Sequence, residues 1–414
     1  LDETDVDIMG FKPAIVYING VYMGIHNIRE KVDDDYIEKN HGLDPGTFDL
    51  VENLDYAEAG DLEAVNEFLA LVKADLSVQS SYDAVAALID VDNYTDMAIT
   101  EVWTRNISVD HNVMCYKPKE GGKWKWIMMD LDRGFLTPSD YMLDYFFGES
   151  ALLLDDMFEN DGYREYFFNR LAGRLFTTFN AARITALVDE HIGLINQEIP
   201  RHIDRWEGTT SSYGNAIPSV ADWYTYARDL KLFANERPAT LMTDLVNYDM
   251  PEITSLTLAT EPSEAGIISI DGFETSLPVT TGYWFKERSF NLSAGDKPGY
   301  DFSGWYRVSP NWIVKKGDTW KYFDQGNPGT GWNQAGFSDD AWKSGPAQLG
   351  YGDGDEATVI AMGPIGETRN ITNYFRKSIT LTAEMADKGV FVFSLLRDDG
   401  AIVYVNGTEV IRNN

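Results

Sequence analysis

The stretch Lys123 to Phe135, KWKWIMMDLDRGF, decides the fold, because it reads as a buried strand that runs into two carboxylates and a glycine turn. Residues two apart on a strand share a face, so Asp130 and Asp132 are expected to aim at one spot. Trp126, Ile127, Met128 and Met129 would anchor the strand behind them. Two anionic oxygens brought together are costly unless something positive meets them. A hard divalent cation such as Mg²⁺, which takes oxygen ligands and bridges to phosphates, meets that demand. The same residues also describe a plain turn whose aspartates cap a helix or pair with Arg133.

The segment just before adds parts. In RNISVDHNVMCYK, Arg105 to Lys117, Asp110 and Asn112 precede a second strand, joined to the first by KPKEGG and expected to pair with it. A carboxylate that accepts a hydroxyl proton, an amide oxygen for a metal and a metal-binding aspartate are what phosphoryl transfer to an alcohol requires. An ordinary polar loop accounts for the same residues.

Composition sets the frame. The chain has 414 residues, 44% hydrophobic and 13% aromatic, enough for two to four domains with real cores. Its 66 acidic residues against 34 Lys and Arg give a net charge of −32 and a pI near 4.4. Such a surface repels nucleic acid and anionic membranes and suits a soluble protein in a saline or extracellular setting. No stretch approaches the roughly 18 to 20 apolar residues of a membrane span. The single cysteine, Cys115, cannot form an internal disulfide and reads as a core residue. The chain opens at Leu1 rather than at a methionine leader, which reads as a fragment whose export signal lies upstream.

Along the chain, PAIVYINGVYMGIHNI (13–28) predicts a hairpin turning at Asn19-Gly20. Apolar spacing of three and four predicts helices over 62–76, 82–89, 91–102, 163–179, 181–199 and 220–245. Asp33, Asp34 and Asp35 read as a solvated helix N-terminus. Past Met250-Pro251 the helical period gives way to short strands with Gly and Pro punctuation. The expected domains are an α+β unit at 1–249, a small β module at 250–308 and a β-sandwich at 309–414. The last ends just beyond the hairpin AIVYVNGTEVIR, which predicts C-terminal truncation. The five histidines lack metal-ligand spacing, so no zinc site is expected.

The segments VYINGVYMGIHNIREKVDDDYIEKNHG (16–42) and NISVDHNVMCYKPKEGGKWKWIMMDLDRGF (106–135) resemble the CotH kinase family over roughly residues 10–247. The resemblance rests on an NGxYxGxxxxRE hairpin, an Asn-bearing loop and a Trp-rich strand closed by Asp-x-Asp. It implies an atypical protein-kinase fold that binds ATP with Mg²⁺ or Mn²⁺ and phosphorylates Ser or Thr of secreted or surface proteins. By the same resemblance, Asp130, Asp132 and Asn112 are metal-side residues, Asp132 and Asp110 catalytic, and Glu30 and Asn112 cofactor-binding. Two departures stand out. Family members usually place an aspartate about five residues before the asparagine, where this chain has Ile107, so either Asp110 serves or the base is lost. The family's N-terminal basic strand is also absent, which leaves Lys12 and Lys31 as the nearby lysines.

The stretch ending GYDFSGW resembles a bacterial β-repeat of the InlB B-repeat type. The final segment, with DDAW, GYGDGDE, YFRKSI and DDGAIVYVNGTEVIR, resembles a galactose-binding-like jelly roll. That likeness implies a glycan or cell-surface ligand, and Asp353, Asp355 and Glu356 could hold structural Ca²⁺ unless they form a simple Gly/Asp turn. The whole then reads as an extracellular or surface kinase tethered by β domains. A surface adhesion protein with a degenerate kinase scaffold is the alternative, and a phosphate-ester hydrolase using the same aspartates is a third reading.

Overall fold

The computed structural model describes residues 1–414 apart from 2, 140–142, 149–151, 212–213, 247–251, 263, 276, 308–311, 353, 355, 364–369, 387–392, 394, 398–399 and 414. Strand β1 (Asp7–Ile8) leads into a hairpin of β2 (Phe11–Ile18) and β3 (Val21–Arg29). Its turn falls at Asn19-Gly20, both at positive φ (51° and 80°), the geometry that Asn-Gly favours. Helix α1 (Asp34–His41) starts at Asp33, whose carboxylate accepts the Tyr36 N–H at 3.2 Å, and stops at Gly42 in the left-handed region. Strands β4 (Phe48–Glu52) and β5 (Tyr56–Ala59) follow, then helices α2 (Glu63–Val72), α3 (Gln79–Ala86) and α4 (Val91–Thr104). Next come strands β6 (Val113–Pro118) and β7 (Lys125–Met128).

These strands form one sheet in the order β1-β7-β6-β4-β5, with β1 parallel to β7 and the other neighbours antiparallel. Strict alternation buries both faces. Val113 and Cys115 of β6, with Trp126 and Met128 of β7, enter the large core under α4, whereas Met114, Tyr116 and Ile127 join Tyr36 and Ile37 of α1 on the other side. Asn93, fully buried at the start of α4, fastens helix to sheet. Its Oδ1 accepts the Trp126 N–H at 2.6 Å, and its Nδ2 donates to Trp126 O at 3.1 Å and Asp5 O at 2.8 Å.

Helices α5 (Leu143–Gly148), α6 (Leu154–Phe158), α7 (Asp161–Phe176), α8 (Ala181–Ile195), α9 (Ile199–Trp206) and α10 (Val220–Val246) complete the helical part. The single helix expected over 181–199 is two, because α8 ends at Ile195 and Pro200 occupies the first turn of α9.

Strands β8 (Ile253–Ala259), β9 (Gly266–Ile270), β10 (Phe273–Glu274), β11 (Val279–Phe285) and β12 (Leu292–Asp296) pair as β8-β11 and β10-β9-β12. Leu258, Ile268, Ile270, Trp284 and Phe285 share the core of α4 and α7, so residues 1–302 form one compact unit. Small residues permit the close approach: a Cβ on Gly282 would lie 2.8 Å from the Phe176 ring, and one on Gly173 would strike Phe273. Beneath that contact Asp96 takes two hydrogen bonds from each of Arg170 and Arg174, at 2.5–2.9 Å. The Phe273 ring covers both guanidinium groups, 5.6 and 5.0 Å from its centroid.

Residues 303–414 form a second unit of several small sheets. Strand Thr319–Phe323 pairs antiparallel with Lys343–Pro346 and Tyr374–Arg376. Buried Asp324 takes both oxygens to Lys343 at 2.9 Å and accepts the Ala361 N–H. Ala401–Val405 and Thr408–Asn413 make the hairpin expected at Asn406-Gly407. Of the calcium expectation, Asp353 and Asp355 lie outside the described residues, and Glu356 accepts the Gly354 N–H at 3.0 Å. Among the described residues no helix is long and apolar enough to cross a membrane.

Candidate functional site

The site begins where α4 stops. Arg105 turns left-handed (φ 58°), and the bonds Asn106 N–H to Glu101 O (3.1 Å) and Arg105 N–H to Val102 O (3.4 Å) close a Schellman motif. The guanidinium of Arg237, buried on α10, donates to Trp103 O at 3.1 Å and Val102 O at 2.9 Å, placing positive charge on the helix C-terminus. Phe135 N–H bonds Thr104 O at 2.7 Å. Gly134 fits there because a Cβ would lie 3.2–3.3 Å from Thr104.

The β6–β7 register sets Val113 opposite Met128, so Asn112 and Asp130 flank the same end of the sheet. Strand β7 ends at Met128, however, short of the expected Asp132, and the two-residue alternation of a strand does not place the carboxylates. An Asx turn does so. Asp130 Oδ1 accepts the Asp132 N–H at 2.9 Å, which bends the chain and leaves both side chains exposed. Asn106, with no exposed surface, donates Nδ2 to Asp130 O at 3.0 Å.

Asn112 is half-buried. Its Nδ2 donates to Ser108 O at 2.9 Å and Ser108 Oγ at 3.2 Å, and among the described residues its Oδ1 takes no hydrogen bond. Asp110 lies on a single 3₁₀ turn, exposed, with its carboxylate 2.5 Å from His111 Nδ1. Glu30 stands apart: its Oε2 accepts the Gly10 N–H at 2.7 Å at the end of β3, and no hydrogen bond or ion pair among the described residues ties it to Asn112, Asp130 or Asp132. Lys31 pairs with Glu58 at 3.2 Å and Asp33 at 3.4 Å, which raises its pKa, and Lys12 is exposed on β2. Thus the β6–β7 register puts Asn112 and the Asp130 turn at one sheet end, Asp110 bonds His111 on the loop before Asn112, and no bond among the described residues ties Glu30 or the lysines to them.

Sequence reasoning missed the buried support. Glu101 is 2% exposed, and burial pushes its carboxyl up to about 8 against the pull of a hydrogen bond from Asn106. Its Oε2 has no partner among the described residues. Nothing in TEVWT distinguishes this glutamate from a surface one on α4, and Arg237 is equally silent beside Pro238. Burial also drives the Cys115 thiol far above its ordinary range, so that residue is core.

A divalent cation fits the donor set. Two carboxylates and one amide oxygen are hard oxygen ligands, and Mg²⁺ is usually held by one or two carboxylates with water and phosphate completing its shell. Among the described residues no group of three or more His, Cys, Asp or Glu comes together in a way that could hold a metal ion by itself.

A family model described as CotH kinase protein matches residues 1–241, the span that carries the sheet, α4 and the Asp130 turn. No curated protein matches the chain. With more than half of its 414 residues covered by that match, the chain belongs to the CotH kinase protein family.

Proposed function

We propose that the chain transfers the γ-phosphate of ATP to a Ser or Thr hydroxyl of a secreted or surface protein. The observation that supports this reading is the β6–β7 register, which sets Asn112 and the Asp130–Asp132 turn at the same sheet end in a CotH kinase family member. Asp130, Asp132 and the Asn112 amide oxygen would hold Mg²⁺, which supplies charge neutralisation on the phosphates. The protein's own work is positioning. The Asx turn fixes the two carboxylates, and the 105–112 loop fixes Asn112. Asp110, at the rim, would orient the acceptor hydroxyl and take its proton. The acidic surface supports an extracellular setting, and the β segments after residue 252 would tether the enzyme to a surface or glycan.

Label from γ-phosphate should appear on protein when Mg·ATP is supplied, and Asp132→Ala should abolish it. Release of free phosphate without labelled protein would instead support a hydrolase. One observation favours a scaffold without catalysis: the Asp110 carboxylate is already engaged by His111. In that case Mg·ATP labels no protein, and a glycan rather than Mg·ATP raises the melting temperature.

A further inference from the structure

We infer that Asn106 and Ser108 are positioning residues that lock the Asp130 turn and Asn112 into one unit, an inference that rests on the metal-binding reading above. Both ends of the Asn106 amide are engaged. Nδ2 donates to Asp130 O at 3.0 Å. Oδ1 accepts from Ser108 N–H at 3.2 Å and Ser108 Oγ at 3.0 Å. Ser108, 7% exposed, passes the link on through its carbonyl and hydroxyl oxygens to Asn112 Nδ2. The chain of bonds therefore runs Asp130, Asn106, Ser108, Asn112, through buried groups.

Its chemistry fixes an orientation. A backbone carbonyl can only accept, so the end of the Asn112 amide held by Ser108 O must be the NH₂ end. Oδ1 is then the end presented for a ligand. A relay that did no more than terminate α4 would not need this, because the backbone bonds of the Schellman motif already do so without either side chain. Partners that orient metal ligands typically change metal affinity ten- to a hundredfold when lost.

The test is a Mn²⁺ titration of the full chain in the presence of ATP, with free Mn²⁺ read by electron paramagnetic resonance. Asn106→Ala should weaken Mn²⁺ binding at least about tenfold, and Ser108→Ala, which keeps the carbonyl acceptor, about three- to tenfold. Leu258→Ala, a core change on β8, serves as a destabilised control that keeps wild-type Mn²⁺ affinity. If Asn106→Ala does not fold, Ser108→Ala decides alone. Wild-type affinity in these variants, alongside weakened binding in Asp130→Asn, overturns this inference and leaves the metal site standing. No Mn²⁺ binding by the wild type with ATP overturns the metal-binding reading, and this inference with it.

Discussion

Asp130 accepts the backbone N–H of Asp132 at 2.9 Å, so the first aspartate of the DLD motif shapes the turn that presents the second. An asparagine oxygen accepts that bond as well as a carboxylate does, whereas alanine cannot. Asp130→Asn is expected to unfold within about 0.5 kcal/mol of wild type, and Asp130→Ala to lose about 1 kcal/mol, as capping losses do. Denaturant titration of the two variants checks this; equal losses would mean that the turn does not depend on the bond.

Buried Glu101 gives a pH signature. Its folded-state pKa, about 8, lies above the unfolded glutamate value near 4.5, so the folded protein holds the proton more tightly. The associated stability is fully present below about pH 4.5 and is lost as pH rises through 8, at up to about 1.4 kcal/mol per unit. Glu101→Gln should flatten that slope and exceed wild type in stability at pH 8, because the introduced amide is neutral at every pH and its oxygen still accepts from Asn106. Parallel stability curves for the two proteins between pH 5 and 8 would contradict the assignment.

The Asp96 cluster is expected to be the costliest single polar site in the N-terminal unit. Removing the carboxylate leaves the buried Arg174 guanidinium without a carboxylate and the half-buried Arg170 with only Asp92 and the Tyr166 hydroxyl, so Asp96→Ala should lose about 3–5 kcal/mol. Chemical denaturation reads it directly. A loss below about 1 kcal/mol would show that water reaches Arg170 and Arg174.

Gly173 reports on the joint between α7 and the strands after residue 252. Alanine at a helix interior ordinarily gains up to about 1 kcal/mol over glycine. Here its Cβ strikes the Phe273 ring, and overpacking of that kind costs about 1–3 kcal/mol, so Gly173→Ala should destabilise. In a double-mutant cycle with Phe273→Ala the penalty should disappear. Additive losses would place the strands off the helix.

The hairpin at Asn19-Gly20, the longer helices and the pairing of the two strands were legible because each has a local signal: a turn dipeptide, a 3.6-residue period or a run of apolar residues; the break at Pro200 and the short helices Leu143–Gly148 and Leu154–Phe158 were not. The Asp-x-Asp pair was legible as a motif and misplaced as geometry, since strand alternation does not extend past Met128 into residues that an Asx turn governs. Glu101, Asn106, Ser108 and Arg237 could not be read beforehand. Their roles come from burial and, for Asn106 with Asp130 and Arg237 with Val102, from partners 24 and 135 residues away, which no periodicity encodes. Nor did composition show that the strands of 250–308 share a core with the helices. That depends on Gly173 and Gly282 lying under two aromatic rings.

The central claim is that Asp130 binds metal as well as holding the turn, and calorimetric titration of Mg·ATP into wild type and Asp130→Asn separates these roles. The account predicts binding to the wild type and affinity at least about tenfold weaker in Asp130→Asn, whose turn is intact. Equal binding by the two proteins, or none by the wild type, would contradict it.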